Sequence, residues 1–207
     1  MVLVMTHKKI LIFCILSLCF VSNCHAYRLF GGKYERTTGR GYVVGRTDAM
    51  IGEIGDWGQI LLPLSAFIYS AAIDDWEGNK QLACSVGATI ATTEILKTTV
   101  REERPYEPEG SKGRTFPSGH TSFAFAGAAY WQRRYGWYVG VPMYLAASFV
   151  GYSRVRVKMH NWLDVMTAAG IGTGFNYLFT TRYNSQETTF FVKPADGGAY
   201  FMVRTSF

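Results

Sequence analysis

Five apolar runs, each long enough for a helix and each ended by a polar break, leave this chain few ways to fold. They are Trp57–Ile73, Leu82–Leu96, Thr121–Trp131, Trp137–Gly151 and Leu163–Phe179. Their length and their content of Ala, Leu and Met suit helices better than strands. Helices joined by short links bury their apolar sides against one another, which predicts an all-α bundle of five to six core helices. One link is long: Arg101–Pro117 carries Pro105, Pro108, Gly110 and Gly113 among mixed charges. Long loops in compact domains often carry function.

The two ends read differently. His7, Lys8 and Lys9 precede an apolar stretch from Ile10 to Val21, and Cys24-His25-Ala26 follows as a small-x-small cleavage site. That order predicts a secretory signal peptide over residues 1–26, shorter than an ordinary membrane span. An uncleaved anchor and lipoprotein processing at Cys24 are the alternatives. Residues 27–58 are rich in glycine and charge and read as an irregular N-terminal arm, with the helical domain over 59–183. At the other end, Thr188–Lys193 and Ala199–Phe207 are rich in aromatic and β-branched residues around Asp196-Gly197-Gly198, which predicts a short C-terminal β-hairpin within 184–207. Removal of the signal would leave Cys84 alone, too few cysteines for an internal disulfide, and its apolar neighbours predict a buried thiol.

With 207 residues, 48% of them hydrophobic, the chain has enough for one domain with a sizeable core. Its net charge of +6 favours anionic partners without choosing among phosphate groups, acidic lipid surfaces and nucleic acid. Mean hydropathy is only +0.04, low for a chain lying mostly in lipid.

Three clusters carry chemistry. The first runs from Lys97 to Arg104-Pro105. Seven residues are two helical turns, so Lys97 and Arg104 share a face if the helix persists, and two cations on one face hold phosphate oxygens. The second is Pro117-Ser118-Gly119-His120 before an apolar run. A helix N-terminus offers unpaired N–H groups to an anion, and Gly119 keeps no side chain in the way. The third runs from Ser153-Arg154 to His160 and Asp164. Four residues apart on a helix, His160 and Asp164 would share a face, the carboxylate taking one imidazole N–H and leaving the other nitrogen nucleophilic. Each cluster alone has a plain reading: a solvated helix end, a serine cap beside a surface histidine, a structural His–Asp pair.

Taken in order, Lys-x6-Arg-Pro, Pro-Ser-Gly-His and Ser-Arg-x5-His-x3-Asp resemble the tripartite signature of the type 2 phosphatidic acid phosphatase superfamily. That group includes bacterial acid phosphatases, membrane lipid phosphatases and vanadium-dependent haloperoxidases. The resemblance spans residues 97–164. It implies a nucleophile at His160 oriented by Asp164, an acid at His120, a phosphate clamp of Lys97, Arg104 and Arg154, and further donors at Ser118 and Gly119. It implies a phosphoric monoester hydrolase working through phosphohistidine, with no metal and no cofactor. The substrate class is a phosphate ester, lipid phosphates and pyrophosphates included, and no nucleic acid partner is expected.

The same site serves soluble and membrane members. Pro142 interrupts the uncharged stretch 135–153, and Asp74–Lys80 would set three acids against one lysine in a cytoplasmic loop. The sequence therefore favours an exported, periplasmic or envelope-associated globular enzyme, in contact with a membrane surface, over a six-span inner-membrane lipid phosphatase. A haloperoxidase and a non-catalytic phosphate-binding envelope protein are the remaining readings. Gly170-Ile-Gly172-Thr-Gly174 resembles a nucleotide loop, but follows no strand and is read as close helix packing. Asp74-Asp75-Trp76-Glu77-Gly78 lacks calcium-loop spacing and is read as a solvated turn.

Overall fold

The computed structural model describes residues 45–100, 102, 114–183, 187–195 and 198–206. Residues 1–26, where a signal peptide is expected, residues 27–44 of the arm, and Arg104 lie outside them. Among the described residues, five helices make up the domain: α1 (Arg46–Ala72), α2 (Trp76–Val100), α3 (Gly119–Tyr135), α4 (Trp137–Arg156) and α5 (Trp162–Phe179). Helix α3 lies at the centre and packs against each of the other four. Downstream, β1 (Glu187–Ala195) pairs antiparallel with β2 (Gly198–Ser206), Glu187 opposite Ser206 and Ala195 opposite Gly198.

Helix α1 starts well before the apolar run that announced it, inside the stretch read as irregular. The reason lies in the glycines. Gly52, Gly55 and Gly58 recur every three residues and are buried along one face. A Cβ built at Gly55 would collide with Ser153 Oγ, and one at Gly58 would come within 2.7 Å of Val150. These glycines bring the α1 backbone down onto α4; they do not loosen the chain. Helix α4 likewise runs straight through Pro142, which the sequence reading treated as an interruption.

The core is built on Trp131, fully buried on α3, with Tyr69 of α1 against its ring at 4.9 Å and Ser65 Oγ accepting its indole N–H at 3.2 Å. Leu62, Ala66, Met143, Ala147 and Val150 surround it. Much of the remaining interior is small or polar: Ser70, Ser85, Thr89, Thr93, Ser122 and Asn176 are all buried. Gly172 sets α5 directly on the α3 backbone at Ser122 and Ala126, whereas Gly170 and Gly174 face open space. Close packing therefore holds for one of those three glycines.

Cys84 is exposed rather than buried, as is Ala83 beside it, while Ser85 turns inward. The Asp74–Gly78 turn is not solvated at its centre either. Asp75 is buried, and its carboxylate takes a two-pronged ion pair from Arg134, with Nε at 2.8 Å from Oδ2. Tyr135 donates to the same carboxylate at 2.8 Å, and the Gly78 N–H at 2.9 Å. Burial alone pushes the Asp75 carboxyl up; the hydrogen bonds from Arg134, Gly78 and Tyr135 outweigh it and hold the group below its ordinary value.

Candidate active site

The opposite end of the bundle gathers the three clusters. Helix α2 ends at Val100, so Lys97 sits in its last turn and its partner in the motif falls beyond it. The Lys97 ammonium lies against the start of α3: a Cβ at Gly119 would come within 3.0 Å of Nζ. A side chain at 119 would therefore press on the cation, and glycine leaves that space clear. The same lysine lies 3.5 Å from Glu94, which also pairs with Arg114 at 2.6 Å.

Ser118 caps α3. Its hydroxyl oxygen accepts from the Thr121 N–H at 3.4 Å and from the Thr121 hydroxyl at 3.0 Å. Its own N–H goes to the Asp164 carbonyl at 3.2 Å. Ser118 is fully buried, so what it has left for a phosphate is its O–H. The bond to Asp164 ties the second cluster to the third.

The turn between α4 and α5 places His160. Lys158 takes a positive φ of 58°, and the N–H groups of Met159 and His160 both reach back to the Arg154 carbonyl. His160 precedes α5 and is not on it, so the pair with Asp164 is not made by a shared helical face as the spacing implied. A capping box makes it. Asn161 Oδ1 accepts the Asp164 N–H at 2.9 Å, and Asp164 Oδ2 accepts the Asn161 N–H at 2.8 Å. That carboxylate oxygen then lies 3.4 Å from His160 Nδ1. The approach is long for a hydrogen bond, as catalytic pairs often are before substrate binds. Nδ1 is thus turned to Asp164, and Nε2 is the ring nitrogen on the side away from it. Asn161 is itself held by Glu102, whose Oε1 accepts from Nδ2 at 2.8 Å. The Glu102 carbonyl takes the Thr115 N–H at 3.0 Å, so the start and end of the long loop are joined beside the histidine.

Arg154 is buried, 1% exposed. Its Nη2 donates to the Gly52 carbonyl, its Nε to Ser153 Oγ at 3.0 Å and its Nη1 to Asp56 Oδ1 at 2.7 Å. The same Asp56 oxygen lies 2.9 Å from Nε2 of His120. Lys97, Ser118, Gly119, His120, Arg154, His160 and Asp164 are thus linked through direct contacts or one shared partner, at one end of the bundle. No group of three or more metal-type side chains occurs among the described residues.

Asp56 lies outside every cluster read from the sequence, and Glu102 and Asn161 stand at positions inside the first and third clusters to which no role was given. Asp56 had one available signal: it is the last charge before a long uncharged helical run, and a charge at the edge of such a run calls for a partner.

The PAP2 superfamily profile matches residues 80–187. The lipid A 4'-phosphatase of Helicobacter pylori is 33% identical over 139 residues, covering 63% of this chain and 70% of that protein. The lipid A 1-phosphatase of Porphyromonas gingivalis is 30% identical over 115 residues, 45% of this chain and 26% of that longer protein. The crystal structure of LpxE from Aquifex aeolicus superposes with a TM-score of 0.55 at 25% identity, covering 64% of this chain and 84% of that one.

Proposed function

Because this chain belongs to the PAP2 superfamily and is a phosphoric monoester hydrolase of lipid phosphatase type, we propose that it removes a phosphate carried by a lipid A-type glycolipid, through phosphohistidine and without a metal. In the first step Nε2 of His160 attacks phosphorus in line. The bond to the lipid oxygen breaks, and His120 gives that oxygen its proton. Lys97, Arg154 and Arg104 offset the charge on the three equatorial oxygens, the task that metal ions perform in many phosphoryl-transfer enzymes. Ser118 and Gly119 add hydrogen-bond donors. In the second step water gives a proton to His120 and attacks phosphorus, and the N–P bond breaks to release inorganic phosphate.

The observation that carries this reading is the linkage of all three clusters. Lys97 lies against Gly119, Ser118 is bonded to Asp164, and His120 and Arg154 share Asp56. A site for binding alone needs neither the oriented His160 nor His120. The test is phosphate release from lipid A in mixed micelles. Turnover is expected to persist in EDTA and to stop with vanadate. Loss in EDTA with recovery on adding a divalent metal would refute the mechanism.

The outer surface supports a bilayer seat for this enzyme. No described helix is long and apolar enough to cross a membrane. Each helix, however, spends part of its composition on the small and polar residues of the interior, so its average hydropathy understates its outer face. The outer faces carry Ile60, Leu64 and Phe67 on α1, Val141, Leu145 and Phe149 on α4, and Met166 and Leu178 on α5, all exposed. Exposed Trp57 and Trp162 mark the catalytic end, and Trp76 and Trp137 the other, where an aromatic belt would sit at each interface. Helix α4, at 20 residues, is about 30 Å long, the thickness of a bilayer core. These faces favour the membrane-borne form over the globular one that residue order favoured. The protein is expected to stay with membranes through an alkaline carbonate wash and to need detergent for release; recovery in the detergent-free supernatant would remove the bilayer seat.

A further inference from the structure

We propose that Asp56 is a positioning residue for the acid step, holding His120 and the Arg154 fork in one frame; this rests on the phosphatase reading above. One carboxylate oxygen, Oδ1, lies 2.9 Å from His120 Nε2 and 2.7 Å from Arg154 Nη1. Both are the lengths of charge-assisted hydrogen bonds. An imidazole that gives one N–H to a carboxylate has its ring plane fixed, and the other nitrogen, Nδ1, becomes the one that hands a proton to the leaving oxygen. Because the same oxygen holds Arg154, the acid and the clamp cannot drift apart independently.

The local design of α1 supports this. Gly52 and Asp56 are one turn apart, and both address Arg154, the first through its carbonyl and the second through its carboxylate. Gly55 between them removes the side chain that would otherwise meet Arg154 Nη2 at 2.5 Å. A carboxylate beside an anion site repels the substrate, so its presence there calls for a use that offsets the repulsion. Helix α1 also lies outside the segment matched by the family, which begins at residue 80.

The experiment compares Asp56→Ala, Asp56→Asn and His120→Ala on two substrates. One is an alkyl phosphate lipid, whose leaving oxygen needs a proton; the other is p-nitrophenyl phosphate, whose leaving group needs little help. General acid catalysis is worth about 10²–10⁴-fold. Asp56→Ala is expected to lower kcat/KM, which reports the first step and not the shared hydrolysis of phosphohistidine, by about 10²-fold on the alkyl phosphate and by less than tenfold on the aryl phosphate, with His120→Ala showing the same selectivity. Asp56→Asn keeps an acceptor of the same shape and is expected to fall between; it carries the measurement if Asp56→Ala does not fold. The double variant is expected to lose clearly less on the alkyl substrate than the product of the two single losses, since both act on one step. Equal losses on the two substrates for Asp56 variants, with selectivity in His120→Ala, would overturn the role of Asp56 alone. Absence of selectivity in His120→Ala would remove the acid assignment and this inference with it.

Discussion

Replacing His160 with alanine is expected to lower turnover by on the order of 10⁴-fold or more, the scale on which losing a covalent nucleophile is felt. The same change should abolish a phosphoenzyme that the wild type forms with radiolabelled substrate. A phosphoramidate is stable in alkali and labile in acid, so quenching under both conditions identifies the bond. Asp164→Asn is expected to leave a weaker, slower phosphoenzyme, because the amide can present its N–H to Nδ1 and favour the wrong tautomer. Turnover within tenfold of wild type in His160→Ala, or a label that survives acid, would remove the phosphohistidine step. Geometry supports the prediction through the turn that places His160: two N–H groups anchored on the Arg154 carbonyl, with Asp164 3.4 Å from Nδ1.

The second large effect lies at the far end, in the ion pair of Asp75 with Arg134. The two side chains are 2% and 7% exposed, so removing one leaves the other charged in a site that water barely reaches. Asp75→Ala is expected to cost about 3–5 kcal/mol, which in a chain of this size lowers the thermal midpoint by roughly 6–20 °C. Asp75→Leu combined with Arg134→Met should recover most of that loss, since an apolar pair leaves no orphaned charge. The pair also sets an acid limit. The Asp75 carboxyl is held below its ordinary value in the folded state. Its contribution is therefore complete above that ordinary value and disappears as the pH falls through the lowered one. Unfolding followed against pH in wild type and Asp75→Asn should show the wild type losing stability on acidification while the variant changes less. A shift in midpoint under 2 °C for Asp75→Ala would mean that water reaches the pair after all.

Helices α2 to α5 were legible because each contains an apolar run longer than a strand needs. The start of α1 was not, because Gly52, Gly55 and Gly58 look like breakers in one dimension and become a packing face only when Ser153 and Val150 of α4 stand opposite. Cys84 and Asp75 were misjudged for one shared reason. The rule that apolar means inside and charged means outside fails where the interior holds Ser70, Thr89 and Asn176, and Leu145 and Leu178 face out. In the site, the three clusters were legible as local patterns, since each contains its own short-range geometry. Their linkage was not, because it passes through Asp56, Glu102 and backbone groups distant in sequence. Even the His160–Asp164 pair met for a reason other than the spacing rule, through a helix cap in place of a helix face.

That cap makes Asp164 answer to two masters. In the proposed mechanism its carboxylate orients the imidazole, and it also closes the box that starts α5, a contact of the kind worth about 0.5–2 kcal/mol. His160 carries no such second duty toward the helix. A gene copy released from selection for turnover would therefore shed the histidine early and keep the aspartate for longer. Among degenerate relatives, an aspartate at this position is a mark of a surviving fold, and only the histidine is a mark of a surviving enzyme.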